Sequence, residues 1–204
     1  MKSSKRCDRI FGGEFETFLT KTAHRRLKKQ NYRRKVKKMK SKNLSSALYV
    51  TRGAIVAAMY VALTYLASML GLSSGVIQFR ISEALCILPV FMPEAIPGLA
   101  IGCLLSNALT GCVFWDVVFG TVATLIGAIG AYLLRRLPGK LIWIATLPTV
   151  LANAIIVPFV LMYAYGIEGG YFYFMLTVGI GEVVCATVGG VLLYFAMKKT
   201  NIKL

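Results

Sequence analysis

Six side chains stand out because their chemistry conflicts with their surroundings: Arg80, Glu83, Asn107, Asp116, Asn153 and Glu182. Each carries a charge or an amide, and each lies beside or inside a long apolar run. An ionisable group at the centre of a bilayer costs at least about 2.5–3.5 kcal/mol and as a rule faces a partner or a cavity. Arg80 and Glu83, three apart, stand at the start of the run 81–92, and Asp116 follows Trp115 just ahead of 117–134. Asn107 falls late in 97–111, while Asn153 and Glu182 fall near the middles of 141–166 and 170–197. Were these runs helices crossing a membrane in alternation, all six residues would lie at the midplane or in the outer half. That distribution describes a polar cavity open to the outside. Plainer roles compete. Arg80 and Glu83 could neutralise each other, Asp116 could cap its helix by accepting backbone N–H groups, and the asparagines could bridge helices for about 0.6 kcal/mol each. Glu182 has no basic partner on an inner segment, so it is protonated, a proton relay or a ligand anchor; the anchor is the preferred reading.

The elements that must position these groups follow from composition. Of 204 residues, 57% are hydrophobic and 16% charged, against about 45–50% and about 25% in soluble domains. Residues 1–42 hold 16 Lys and Arg against Asp8, Glu14 and Glu16, so +13 of the formal +16 sits there. The other 162 residues carry too few charges to clothe a soluble surface. The chain reads as an all-α integral membrane protein of the cell membrane, and soluble enzyme classes are excluded. Its single histidine, His24, lies in the basic run, which leaves the apolar body without an imidazole for catalysis or metal binding. Its five cysteines (Cys7, Cys86, Cys103, Cys112, Cys185) never form a C-x-x-C pair. Around Pro138-Gly139-Lys140 no glycine stands five residues before Gly139 and no Ser or Thr follows Lys140, so there is no phosphate-cradling loop. The expectation is a non-enzyme without metal or cofactor, drawing energy from a gradient or another subunit.

A crossing helix needs about 20 apolar residues. Four stretches qualify: 53–72, 117–134, 141–166 and 170–197. Pro93, Glu94 and Pro97 break the segment 81–111 into two short pieces, 81–92 and 97–111, since proline within a helix removes a donor and clashes with the preceding turn. Six spans put Arg135, Arg136, Lys140, Lys198 and Lys199 on the same side as the basic run, as the positive-inside rule demands, whereas five would not. The prediction is six transmembrane helices with both termini cytoplasmic, as a basic tail (1–42) and a membrane domain (43–204). The tail either binds anionic lipid, at about 1 kcal/mol per basic residue, or precedes a true start at Met39. Tyr32 is the only aromatic interleaved with its basic run, so no specific nucleic-acid role is expected. Ala54, Ala58 and Ala62 form a stripe of small residues on the first helix, of the kind that admits another helix. Gly98-Gly102-Ser106 and Gly181-Cys185-Gly189 repeat that spacing and could serve internal packing instead.

The run Ile77-Gln78-Phe79-Arg80-Ile81-Ser82-Glu83-Ala84-Leu85 resembles the QueT family, the substrate-binding (S) components of energy-coupling factor (ECF) transporters. The likeness extends through Ala95–Leu99, Ile101–Asn107, Asp116–Gly120, Ala152-Asn153-Ala154 and Gly181-Glu182, about residues 45–199, and departs at the long basic tail. It implies a six-helix subunit that captures a queuosine precursor, a 7-deazaguanine, and works with a membrane scaffold subunit and two ATPases. It also implies that Ala54, Ala58 and Ala62 meet the scaffold. A guanine-like edge presents adjacent N–H donors that one carboxylate accepts; Glu83, inside the most family-specific run, ranks ahead of Glu182 for that task. The ring carbonyl wants a donor such as Gln78, Arg80, Asn107 or Asn153, Phe79 or Trp115 could supply a stacking platform, and Asp116 a second carboxylate for a ligand cation. The alternatives are an S component for another vitamin-like ligand, or a proton-coupled secondary transporter with Glu182 as relay. No second broken hairpin suggests the inverted repeats of many such carriers.

Overall fold

Lipid offers backbone groups no hydrogen-bonding partners, so apolar segments satisfy them within helices. The computed structural model describes residues 45–71 and 79–200. The basic run 1–42 and Gln78 lie outside the described residues. Six helices account for most of the rest: α1 Ser45–Met69, α2 Ile81–Val90, α3 Ala95–Leu109, α4 Phe114–Leu133, α5 Gly139–Tyr163 and α6 Tyr171–Lys199. From Tyr49 onward they pack as one compact unit. The helices α1, α4, α5 and α6 are long and apolar enough to cross a membrane, and α2 and α3 are shorter apolar helices. The break between α2 and α3 spans residues 91–94, around Pro93 and Glu94 as expected, whereas Pro97 does not break the chain but sits in the first turn of α3, where its missing N–H costs no helix bond. The first helix starts at Ser45, earlier than the apolar run beginning at 53, because the helical backbone continues through the more polar turns around Arg52.

Contacts fix the helix directions. On α1, Arg52 reaches Glu94 just past α2, while Tyr60 and Thr64 meet Glu83 and Ser82 at its start. So α1 and α2 run antiparallel. Gly98 and Gly102 of α3 pack in the same order on Gly53–Val56 and Ala57–Tyr60, so α3 runs parallel to α1 and closes a hairpin with α2. Asn107 lies by Asp116 and Cys103 by Thr124, which sets α4 against α3. Gly127 and Gly130 press on Thr149 and Pro148 while Tyr165 reaches back to Val113, which sets α5 against α4. Thr146 bonds Thr187 and Tyr171 bonds the Ile155 carbonyl, which sets α6 against α5. The directions therefore alternate along the chain. Arg52, Arg135, Arg136, Lys140, Lys198 and Lys199 gather at one end, where Lys198 and Tyr194 pack near Gly139. Arg80, Asp116 and Tyr165 mark the other.

The helix α2 is central and packs against all five others. It is a 3₁₀ helix for its full ten residues, an unusual length for that geometry. At about 2.0 Å per residue it reaches roughly 20 Å, where an α-helix would reach roughly 15 Å. Three residues per turn also stack Glu83, Cys86 and Pro89 on one face, and all three are buried. Around α2 the core gathers Val56, Tyr60, Leu85, Leu88, Leu99 and Cys103. The helix α6 is also irregular, because Val183–Gly189 forms a π-helical stretch directly after Glu182. Such widened turns recur at functional sites.

Candidate functional site

Glu83 is fully buried in the middle of the bundle. The hydroxyl of Tyr60 on α1 donates to its Oε1, which also accepts from Thr124 Oγ1 on α4 at 3.3 Å. Its Oε2 accepts from Cys86 Sγ at 3.0 Å, one 3₁₀ turn along the same face. Both carboxylate oxygens are thus engaged by protein donors from three helices. Arg80 does not pair with Glu83, so the two do not neutralise each other by direct contact. Sequence reasoning passed over Tyr60, Cys86 and Thr124, because each is an unremarkable residue in an apolar run and only the fold turns it toward a carboxylate.

Arg80 instead joins Asp116, with Nη2 at 3.4 Å from Oδ1. Asp116 lies three residues inside α4, whose N-cap is Val113, and caps no backbone group. Its Oδ2 accepts from the Tyr165 hydroxyl at 3.0 Å, and Tyr165 accepts the Val113 N–H at 3.3 Å. Burial, and then the neighbouring Asp116 carboxylate, push the Tyr165 hydroxyl above its ordinary range, so it stays a donor. Local structure delivers these groups. α3 ends in a Schellman turn, with Cys112 N–H bonded to the Asn107 carbonyl and Gly111 at φ 75°. That tight reversal brings the Asn107 amide to 3.5 Å from the Asp116 carbonyl. Gly120 faces Asn107, Arg80 and Asp116 together, and a side chain there would displace the Asn107 amide. The Arg80 Nη1 is buried and finds no hydrogen-bonding partner among the described residues.

Asn153 and Glu182 form a third group. Asn153 on α5 is fully buried and Glu182 on α6 is 3% exposed. Ala154, next to Asn153, lies against Gly179 of α6, and Asn153 stands close enough to act on the Glu182 carboxylate. Yet among the described residues neither amide atom of Asn153, nor Glu182 Oε2, has a hydrogen-bonding partner in good geometry. One turn away, Thr149 Oγ1 is likewise buried and unbonded. The helix α2, which carries Glu83, packs against the stretch of α6 that follows Glu182, with Gly189 on Ala84, so the two carboxylates stand on packed helices in the same interior. Among the described residues no His, Cys, Asp or Glu cluster is arranged to hold a metal ion.

The aromatic candidates separate. Phe79 is half-buried just ahead of α2. Trp115 is 55% exposed and stacks on Phe119 in an apolar groove of 630 Å³ between α4 and α5 with Ile155 and Phe159. The structure therefore does not bring its ring to the polar interior. Its neighbour Asp116 points inward from the opposite side of the same helical turn.

The three small-residue stripes also divide. Gly98 and Gly102 are consumed in packing α3 on α1, and Gly189 packs on Ala84 of α2. Ala54, Ala58 and Ala62 stay exposed. They line a groove of 840 Å³ with Pro97, Gly98, Ile101, Leu105 and Leu109.

Residues 50–199 match the family model described as QueT transporter. A curated relative, the queuosine precursor transporter QueT of Lactococcus lactis subsp. cremoris (strain MG1363), is 38% identical over 91 residues. That alignment covers 44% of this chain and 53% of the relative, so the chain spans about half of the relative's length. No solved structure matches.

Proposed function

The chain belongs to the QueT transporter family, and on that premise we propose that it captures a queuosine precursor, a 7-deazaguanine, as the S component of an ECF transporter. One observation carries the assignment of the site. Within an apolar helical bundle, Asn153, Glu182 and Arg80 hold buried polar atoms with no hydrogen-bonding partner among the described residues. Where water is scarce an unsatisfied polar group is expensive, by about 1–3 kcal/mol and more for charged groups. Such atoms persist when selection keeps them for a ligand. Glu83, Asn107 and Asp116 complete the polar interior, with Gln78 and Phe79 beside it in sequence.

The proposed topology is six crossings with both termini in the cytoplasm. Alternating helix directions support it, as does the gathering of Arg52, Arg135, Arg136, Lys140, Lys198 and Lys199 at one end. The polar interior then opens outward past Arg80, Asp116 and Tyr165. The partners proposed are a membrane scaffold subunit and two ATPases, because the chain lacks a phosphate-cradling loop of its own. The exposed Ala54/Ala58/Ala62 groove supports a scaffold contact there, since small residues let helix backbones approach closely. Lipid covers the remaining apolar surface.

The test is uptake of labelled 7-deazaguanine by cells that express the chain with or without scaffold and ATPases. Uptake that needs all four subunits is expected. Proton-driven uptake by the chain alone in proteoliposomes would reject the proposal.

A further inference from the structure

The interior carboxylates differ in how many of their hydrogen-bonding positions the protein itself fills. Glu83 accepts from Tyr60, Thr124 and Cys86, which occupies both its oxygens. Asp116 is occupied by Arg80 and Tyr165. Of these three, Glu182 keeps a buried oxygen, Oε2, that meets no hydrogen-bonding partner among the described residues, and the amide beside it, Asn153, is without a well-formed bond at either end. The one other such carboxylate oxygen among the described residues, on Glu94, lies at the opposite end of the bundle beside Arg52. An amide left unpaired on a fully buried α5 face is costly for the empty protein. A carboxylate and an amide side by side offer acceptors for adjacent N–H donors and a donor for a carbonyl. That pattern complements a planar ring edge carrying a carbonyl, a ring N–H and an exocyclic amine in a row. Glu182 also directly precedes the π-helical stretch of α6, and such widened turns recur at functional sites.

We propose that Asn153 and Glu182 form the subsite that reads this 2-amino-4-oxo ring edge, and that Glu83 holds the helices together around it. This rests on the 7-deazaguanine reading above. It reverses the sequence-based order, in which Glu83 ranks first. The two roles leave different signatures. A ligand-facing polar group without protein partners weakens the empty protein, so its apolar replacement leaves the fold as stable or more so while binding is lost. A group saturated by internal donors does the opposite.

The experiment is titration calorimetry of the purified full-length chain in detergent micelles with 7-deazaguanine, alongside thermal unfolding without ligand. Glu182→Gln is expected to weaken binding about tenfold or more, because one acceptor becomes a donor facing a donor. Asn153→Leu is expected to weaken it similarly, with an unfolding midpoint equal to or above that of the unaltered protein. Glu83→Gln is expected to lower the midpoint and to weaken binding less than Glu182→Gln does. A larger loss of affinity in Glu83→Gln would overturn the inference, as would Asn153→Leu and Glu182→Gln both binding within about threefold of the unaltered chain. Those results leave the ligand class standing. Failure of the folded, unaltered chain to bind 7-deazaguanine would overturn the ligand class and the edge assignment together.

Discussion

The bond between Tyr60 and Glu83 ties the first helix, which carries the exposed alanine stripe, to the central 3₁₀ helix. Tyr60 is 1% exposed and Glu83 fully buried, so neither can turn to solvent if the other is lost. Tyr60→Phe removes one oxygen and leaves the ring packing in place, while Glu83 Oε1 keeps only Thr124. Interhelical polar contacts in a helical membrane protein average about 0.6 kcal/mol and reach about 1.7 kcal/mol. Bonds to charged groups contribute about 1.5–3 kcal/mol in general. A carboxylate acceptor inside the bundle belongs where these ranges meet, at about 1.5 kcal/mol. The assay is a double-mutant cycle of Tyr60→Phe and Glu83→Met, read by reversible unfolding in mixed micelles. Methionine keeps the length of the side chain and removes both carboxylate oxygens, leaving only a weakly accepting sulfur. The expected coupling is about 1.5 kcal/mol. A coupling below about 0.4 kcal/mol, the scatter expected of independent sites, would refute the idea that Glu83 is held from α1.

Cysteine-accessibility labelling should place positions 137 and 168 on opposite sides of the membrane, and labelling from one side would end the six-crossing topology. Ala58→Leu should cut uptake while ligand binding stays intact, since its side chain stands in the exposed groove beside Ile101 and Leu105 and not in the polar interior; lost binding would contradict that separation. Gly127→Val should destabilise the fold by about 1–3 kcal/mol, seen as a lower unfolding midpoint, because any side chain there collides with Thr149 of α5. An unchanged midpoint would mean that α4 and α5 are not packed at that glycine.

The sequence made the helix positions legible through two physical signals. Apolar runs of spanning length marked α1, α4, α5 and α6, and Pro93 with Glu94 marked the turn between α2 and α3. The 3₁₀ winding of α2 and the π stretch after Glu182 were not legible, because both arise from packing around a central helix and not from local propensity. Polar residues in apolar runs pointed correctly to Arg80, Glu83, Asn107, Asp116, Asn153 and Glu182 as buried or half-buried interior groups. Their pairing was hidden. Arg80 and Glu83 are near in sequence, yet the fold pairs Arg80 with Asp116, 36 residues away. Tyr60 and Thr124 escaped notice since hydroxyls are ordinary in membrane helices until a carboxylate is placed beside them. Trp115 is an aromatic at the expected mouth, yet its ring faces away from the polar interior while Asp116 faces it, because a helix turns adjacent residues to different sides.

On the function proposed above, this bundle recognises the hydrogen-bonding edge of a 7-deazaguanine. Equilibrium binding of 7-deazaguanine and 7-deazaadenine to the same purified chain tests it most directly, because the two rings share their shape and differ along that edge. 7-Deazaguanine is expected to bind at least about a hundredfold more tightly, the discrimination expected when buried polar groups are left unpaired by the wrong ring. Equal affinity for the two rings would contradict it.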